Sequence, residues 1–410
     1  MSVLAPAWTA DAGARRARDL LASALGPEPA DGVWAAPGRV NLIGEHTDYN
    51  GGLCLPIALP HRTYVAVRRR EDRTVRLTSG QEPGVRTIDL DGVGPVGSPG
   101  AVEGWPAYVV GVAWALVAEG LVPAERVTGF DAAVDSCVPY GAGLSSSAAL
   151  ECAVAIALDE LWGLGLAADD AGRARLAAAC VRAENEVAGA PTGGMDQSAS
   201  LRAEEGRALL LDCRDGSTRQ VPFALEAAGL ELLVIDTRAP HALVDGQYAE
   251  RRDSCERAAR QLGVTTLREV EDLDAALASL ADPVVQRRVR HVVTEIERVA
   301  RFAEELDAGP LDPARAAALG ALMVGSHVSM RDDYEISCAE LDLAVETATA
   351  AGAHGARMTG GGFGGSAIAL LPAGQAERVA GEVGAAFAAA GFAAPAFLLA
   401  PASAPAARTA

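Results

Sequence analysis

The chain has 410 residues with 54 acidic and 35 basic side chains, a net charge of −19; half of its residues are hydrophobic and 22% are charged. This is globular rather than disordered composition, and its acidity argues against a nucleic-acid partner, which requires a basic face. Every basic residue is arginine, which excludes chemistry built on lysine: a Schiff base, a Walker A phosphate loop, or the protein-kinase strand lysine. The length suggests two domains or three. No stretch reaches the ~18 strongly apolar residues of a membrane span, and the N-terminus lacks the charged-then-apolar pattern of a signal peptide. Seven cysteines without a CxxC pair read as reduced thiols of a cytoplasmic protein, not as a disulfide framework or zinc site.

In chain order, a helix is predicted over Ala14–Leu25, ended by Gly26-Pro27. Thr63–Arg69 and Arg73–Thr78 alternate apolar and polar residues and suggest paired strands; Phe130–Val138 alternates up to Pro139. Helices follow over Ser147–Trp162 and Arg173–Val187, and Leu230–Asp236 is a compact apolar strand. Further helices are predicted over Gln247–Leu262, Pro283–Glu305, Pro313–His327 and Arg331–Ala351. A strand, glycine turn, strand, helix and strand occupy His354–Leu399, and the Ala/Pro tail after Pro401 reads as frayed. Without a regular βαβ rhythm the fold class is α+β with two lobes. The expected lobes are 1–210 and 211–410.

Four segments carry candidate chemistry. Val138–Ala148 joins a strand to a helix through Gly141-Ala142-Gly143-Leu144-Ser145-Ser146-Ser147. Its glycines allow close backbone approach, the helix start offers free N–H groups, and three hydroxyls add donors; one of them can also ligate magnesium. That suits phosphate binding without lysine; a glycine turn with a Ser cap is the plainer reading. Glu184 lies about 40° from Cys180 on the apolar stripe Leu176, Cys180, Ala183, Val187, and an inward charge must be paired or bind a cation; an acid reaching solvent is the alternative. In Pro37–Gly52, Arg39 and Asn41 project from one strand face, and Glu45, His46 and Asp48 follow in a loop closed by Asn50-Gly51-Gly52. So dense a set of donors and acceptors suits a polyhydroxylated ligand; a metal site or a solvated loop competes. Asp196 follows the turn Gly193-Gly194, and five glycines within 360–365 mark close backbone approach.

Together these segments resemble the galactokinases, within the GHMP family of small-molecule kinases that also takes in homoserine, mevalonate and phosphomevalonate kinases. The signature matches Gly38–Gly52, the phosphate loop Pro139–Ala148, and the glycine-rich third motif Gly360–Gly365. Ala183-Glu184-Asn185 leading to Met195-Asp196-Gln197, and His241-x-Leu243 leading to Tyr248-x-x-Arg251-Arg252, match as well. The resemblance runs from about residue 35 to about 370. It implies a ribosomal S5-like N-terminal lobe and a ferredoxin-like C-terminal lobe with the site between them. It implies transfer of the γ-phosphate of ATP to the anomeric C1 hydroxyl of D-galactose, with Mg²⁺ as cofactor. Asp196 is implied as the catalytic base, with Arg39 as the cation that holds it ionised and stabilises the phosphoryl group. Ser147 and Glu184 match magnesium ligands, and Gly141, Ala142, Gly143, Leu144, Ser145, Ser146 and Ser147 the nucleotide cradle. Ser79 falls where a nucleotide contact is expected. Glu45, His46, Thr47, Asp48, Gly193 and Tyr248 match sugar-binding positions, although Gly194 departs from the apolar residue the family often has. The partners implied are galactose and MgATP, with no nucleic acid, membrane or obligatory protein. A non-catalytic galactose and ATP sensor, or a kinase for a related sugar such as N-acetylgalactosamine, are the alternatives.

Other features read as structural: Cys152 and Cys180 as core thiols, Arg68-Arg69-Arg70 as a solvated strand edge, and His61, His291, His327 and His354 as isolated residues without assigned chemistry.

Overall fold

The computed structural model describes residues 3–239 and 244–410. His241 and Leu243, matched in the sequence ahead of Tyr248, lie outside them. The N-terminal elements are α1 (Ala10–Leu25), β1 (Gly32–Asn41), β2 (Leu53–Cys54), β3 (Pro56–Arg69), β4 (Thr74–Ser79), β5 (Val85–Asp89), α2 (Pro106–Ala118) and β6 (Phe130–Ser136). Then come α3 (Ser146–Leu161), α4 (Asp170–Arg182), α5 (Met195–Arg202), β7 (Arg207–Asp212), β8 (Ser217–Pro222) and β9 (Leu230–Asp236). The C-terminal part comprises α6 (Val244–Leu262), α7 (Leu273–Ser279), α8 (Pro283–Asp307), α9 (Pro313–Asp332), α10 (Ala339–Ala350), β10 (Gly355–Thr359), β11 (Ser366–Pro372), α11 (Ala376–Ala390), β12 (Ala396–Leu399) and β13 (Ala407–Arg408).

One sheet runs β13-β1-β3-β6-β4-β5. Ala14, Ala17 and Leu21 of α1 pack with Val33, Ala35, Tyr64 and Ala66, while residues of α2, α3 and α4 pack with Trp34, Val65 and Val67. Covered on both faces, β1 buries all ten residues, so its sequence shows no clean polar alternation. The second sheet, β10-β11-β9-β12, is antiparallel; with β9 as first strand its order is 4-1-3-2, the ferredoxin-like arrangement. A third sheet, β2-β7-β8, links the segment after the loop of residues 44–52 to the middle of the chain. The expected α+β class is what these sheets and helices form.

Four expectations need correction. The segments read as paired strands, β3 and β4, are not neighbours: β6 lies between them, antiparallel to β3 and parallel to β4, because alternation reveals a strand's faces but not its partner. The helix expected over Arg331–Ala351 is two helices: α9 continues to Asp332, then Tyr334 and Ile336 turn into the core fully buried, and α10 begins at Ala339. The tail is not frayed. Ser403 N–H donates to Ala58 O (2.9 Å), Ala406 N–H to Ser200 O (2.8 Å) and Thr409 N–H to Val33 O (2.8 Å), and Arg62 and Arg173 donate to carbonyls of residues 404–406. Short Ala and Pro side chains let this segment lie flat on the first sheet. Arg68 is likewise no solvated residue: it donates to the buried Asp131 (2.6 Å) and to Leu25 O at the end of α1 (2.8 Å). Helices α2, α5 and α7 and strands β7 and β8 had no sequence counterpart.

Removing residues 402–410 is expected to lower the urea midpoint of unfolding. The backbone bonds named above, at ~0.5–1.5 kcal/mol net each, amount to roughly 2 kcal/mol or more. A truncated chain as stable as the full one would show the tail to be passive.

Candidate active site

The site is assembled where β1, the loop before α3 and the start of α5 meet. The β1–β3 register shifts between Pro37 and Arg39, a bulge of the kind that re-aims a side chain. A Cβ on Gly38 would stand 2.6 Å from Leu144 O, so glycine lets the loop before α3 press against β1, where Arg39 N–H donates to Leu144 O (3.1 Å). Beyond that bulge, buried Arg39 donates from Nε to Asp196 Oδ1 (2.8 Å) and from Nη1 to Gly143 O (2.8 Å). Asp196 sits in the first turn of α5, on the positive end of that helix. Its Oδ2 accepts a hydrogen bond from Ser145, whose backbone is left-handed (φ 60°). A hydroxyl and a guanidinium thus fix both carboxylate oxygens.

These residues line one cavity of about 280 Å³. Gly141, Gly143, Leu144, Ser145, Ser146, Ser147 and Glu184 line one part and Glu45, His46, Asp48 and Tyr248 another, with Arg39, Asp196, Gly360 and Gly361 also in the lining. Under the cradle, buried Ala142 accepts Ser366 Oγ–H at its carbonyl (2.7 Å). A Cβ on Gly360 would lie 3.0 Å from Gly143 O. The glycine-rich turn therefore supports the cradle by close backbone contact.

In the second part of the lining, His46 Nε2 donates to Gly361 O (3.0 Å) and Nδ1 accepts from Tyr49 Oη (2.6 Å). Its ring packs against Tyr248 and Tyr334, with centroids 5.1 and 4.9 Å away. Burial pushes the His46 pKa down to about 3. Burial, with the Asp196 charge adding to it, pushes Asp48 up to about 6. A Cβ at Gly193 would stand 1.9 Å from Asp48 Oδ2; the turn ahead of Asp196 is glycine because that carboxylate occupies the space. Thr47 is buried, and its hydroxyl donates to Gly44 O and Leu53 O; it holds the loop and stands off the cavity lining. Ser79 also stands outside the lining, its hydroxyl bonded to Gln81 at the end of β4.

After α4 the chain widens into a π-helical turn, Ala183–Ala188, which turns Glu184 into the cavity. Glu184 bonds to Ser147 and accepts from Gln197 Nε2 (2.5 Å). Burial first, then the Asp196 charge, raises its pKa to about 7. Gln197 also reaches Glu151 (3.1 Å), fully buried in α3. Among the described residues no three His, Cys, Asp or Glu side chains converge on a metal position, so Glu45, His46 and Asp48 do not form the competing metal site.

Sequence reasoning missed Glu151, Gln197, Thr359, Arg357, Glu295 and His291 as participants. Glu151 had a signal, since it follows Ser147 by one helical turn, and Gln197 and Thr359 adjoin Asp196 and Gly360 in sequence; Arg357, Glu295 and His291 are joined to the site by tertiary contacts. His291, from α8, donates from Nε2 to Glu45 O (3.1 Å) and bonds Ser329 through Nδ1 (2.9 Å), and burial lowers its pKa to about 4.

These imidazoles make stability acid-sensitive. Both are neutral in the fold, while free histidine titrates near 6.5. Their contribution is complete above pH ~6.5 and declines as pH falls toward 4, by up to about 1.4 kcal/mol per pH unit for each. Asp48 and Glu184 act oppositely: their folded pKa values are raised, from 3.8 to about 6 and from 4.5 to about 7, so between pH ~6 and ~4.5 they offset the two imidazoles. Removing one imidazole, His291→Gln is expected to make the urea midpoint fall less, or rise more, as pH drops from about 6.5 to about 4.5; an unchanged slope would exclude this ring as a titrating group.

Comparison with known proteins gives the arrangement a family. Residues 22–69 match the galactokinase galactose-binding signature, 107–204 the GHMP kinases N terminal domain and 302–389 the GHMP kinases C terminal domain. The chain is 52% identical to a galactokinase of Streptomyces coelicolor, over 85% of this chain and 86% of that one. It is 47% identical to a galactokinase of Mycobacterium tuberculosis, over 85% and 92%. The crystal structure of Lactococcus lactis galactokinase complexed with galactose superposes with a TM-score of 0.85 at 32% identity, covering 95% of this chain and 98% of that one. The cavity between the two lobes, its flanking motifs and these likenesses have one explanation: the chain belongs to the galactokinase family of GHMP kinases.

Proposed function

We propose that the chain is an ATP-dependent galactokinase, transferring the γ-phosphate of ATP to the anomeric C1 hydroxyl of D-galactose to give galactose 1-phosphate and ADP. The observation that carries this reading is the Arg39–Asp196 pair, 2.7 Å at its closest, set between a hydroxyl-and-glycine cradle and a wall of sugar-type hydrogen-bonding groups in one cavity.

Asp196 receives the proton of the C1 hydroxyl. A carboxylate is a weak base, but phosphoryl transfer has a loose transition state, so late proton transfer suffices when positioning is good. Ser145 and Arg39 supply that positioning by holding one oxygen each. Arg39 also faces the cradle through Gly143 O, where its charge stabilises the phosphoryl group in flight. Gly141–Ser147 at the start of α3 offer hydroxyls, and N–H groups beside the positive helix end, to the ATP phosphates. Glu45, His46, Asp48 and Tyr248 receive the sugar, and direct in-line transfer needs no phosphoenzyme.

Ser147 and Glu184 fit a magnesium ion. They touch each other at the cradle, and Glu184 faces the cavity near the Asp196 charge, a site that favours a divalent cation. Magnesium typically takes one or two protein oxygens and fills the remainder with phosphate and water. When bound with ATP it would neutralise the phosphate oxygens. The cytoplasm is the proposed location, since all seven cysteines are free thiols, as a reducing compartment keeps them. Among the described residues no helix is long and apolar enough to cross a membrane.

Galactose-dependent ADP release, compared with glucose, N-acetylgalactosamine and mevalonate, tests this reading. The expected order places galactose first in kcat/KM; no ADP above background would mean a sensor instead. Asp196→Asn is expected to lower kcat by at least the ~10²–10⁴-fold typical of a general base while galactose still binds in calorimetry. Near-normal turnover would remove Asp196 from the mechanism. Gly193→Ala pushes the Asp48 carboxylate aside and is expected to raise the galactose KM by about tenfold or more, the loss of one charged hydrogen bond, with the ATP KM unchanged.

A further inference from the structure

The sugar loop of the first lobe hangs on the second lobe through charges that solvent does not reach. Arg357, in β10, is fully buried. Its Nη2 donates to Glu45 and its Nη1 to Asn41 O (3.2 Å). The other Glu45 oxygen accepts from Gly360 N–H (3.0 Å) and Thr359 Oγ1–H (3.3 Å). Glu295, fully buried in α8, stands 3.7 Å from the same Nη2. It is satisfied separately, by Gly44 N–H (3.0 Å), Ser326 Oγ–H (2.5 Å) and Arg298 Nη1 (2.5 Å). Arg357 and Arg298 thus balance Glu45 and Glu295.

A buried ion pair is poor evidence for stability, since apolar residues of equal volume often serve as well. Its retention needs a reason in geometry. Of these four residues, Glu45 lines the cavity. A carboxylate presented to a sugar hydroxyl must be fixed in direction; burial raises the Glu45 pKa, and Arg357 counters that rise while its Nη2 fixes one oxygen. The same guanidinium holds Asn41, two residues beyond Arg39, and the Glu45 it fixes holds Gly360 of the turn beneath the cradle.

We propose that Arg357 is a positioning residue of the sugar pocket: it aims the Glu45 carboxylate into the cavity and ties the sugar loop to the glycine-rich turn. The inference rests on the reading of this cavity as a galactose site, and the wild-type enzyme tests that reading in the same assay. The variants are Arg357→Gln, Arg357→Lys, and Arg357→Gln combined with Glu295→Gln, which removes one charge of each sign and leaves Glu45 in place. Arg357→Gln and the double variant are expected to raise the galactose KM about tenfold or more, with the ATP KM within about twofold of wild type. Arg357→Lys is expected to recover part of the loss. If Arg357→Gln does not fold, the balanced double variant decides. A wild-type galactose KM in the double variant, or a parallel rise in both KM values, would overturn the proposal. So would failure of all three variants to fold, since the arginine would then be holding the fold rather than the sugar. A wild-type enzyme that releases no ADP with galactose would defeat the reading of the cavity, a result distinct from any of these.

Discussion

The arrangement depends on one ion pair formed between positions 157 residues apart, Arg39 on the bulged strand β1 and Asp196 on the first turn of α5. An arginine and an aspartate held in water-poor surroundings attract strongly, but the pair is useful to chemistry only if neither partner can wander. Several features that look unrelated serve that end. The glycine at 38 lets the cradle approach β1; the left-handed Ser145 swings its hydroxyl onto the second oxygen of Asp196. Behind the site, Ser200 of α5 donates to Pro37 O of β1 (2.9 Å) and accepts Ala406 N–H at its own carbonyl. The helix and strand that bear the pair are therefore tied to each other and to the C-terminal tail.

Around this pair the charge is unbalanced toward acid. Glu45, Asp48, Glu184 and Asp196 line the cavity, and among the described lining residues Arg39 is the one cation. The structure manages the excess by different means at each position. Asp196 has Arg39, Glu45 has Arg357 to counter a pKa that burial still raises, and Asp48 and Glu184 have raised pKa values. Under the proposed function, such a cavity would accept hydroxyl donors and a cation-neutralised polyphosphate and disfavour a bare anion. The overall charge of −19 adds little to that discrimination, since fields beyond about 8 Å are screened at physiological salt.

Much of this was legible because particular local patterns have particular local causes. The Leu230–Asp236 strand, the α3 helix and the strand-turn-strand-helix-strand ending follow from periodicity and from glycine punctuation, which act over a few residues. Glu184 betrayed itself as a charge on an apolar stripe. Gly193 and the glycines of 360–365 signalled close approach without saying what approaches; the structure supplies Asp48 for the first and the cradle for the second. Where reading failed, the deciding contact was remote. The β3–β4 pairing was displaced by an intervening strand from residues 130–136, and the Ala/Pro tail, which has no pattern of its own, is ordered by carbonyls and arginines of the first lobe.

The amino-acid sequence alone determined the family, the chemistry-bearing segments and the exclusion of lysine-based mechanisms, because motifs of short span encode backbone shapes and side-chain types directly. What it left to tertiary structure was which groups meet. Thr47 turns its hydroxyl into its own loop, Ser79 stays outside the cavity, and Arg357, Glu295 and His291 reach the loop of residues 44–52 from the other lobe. Those outcomes depend on how two sheets and their helices dock. Docking is settled by the summed burial of many side chains, and no single segment carries that information.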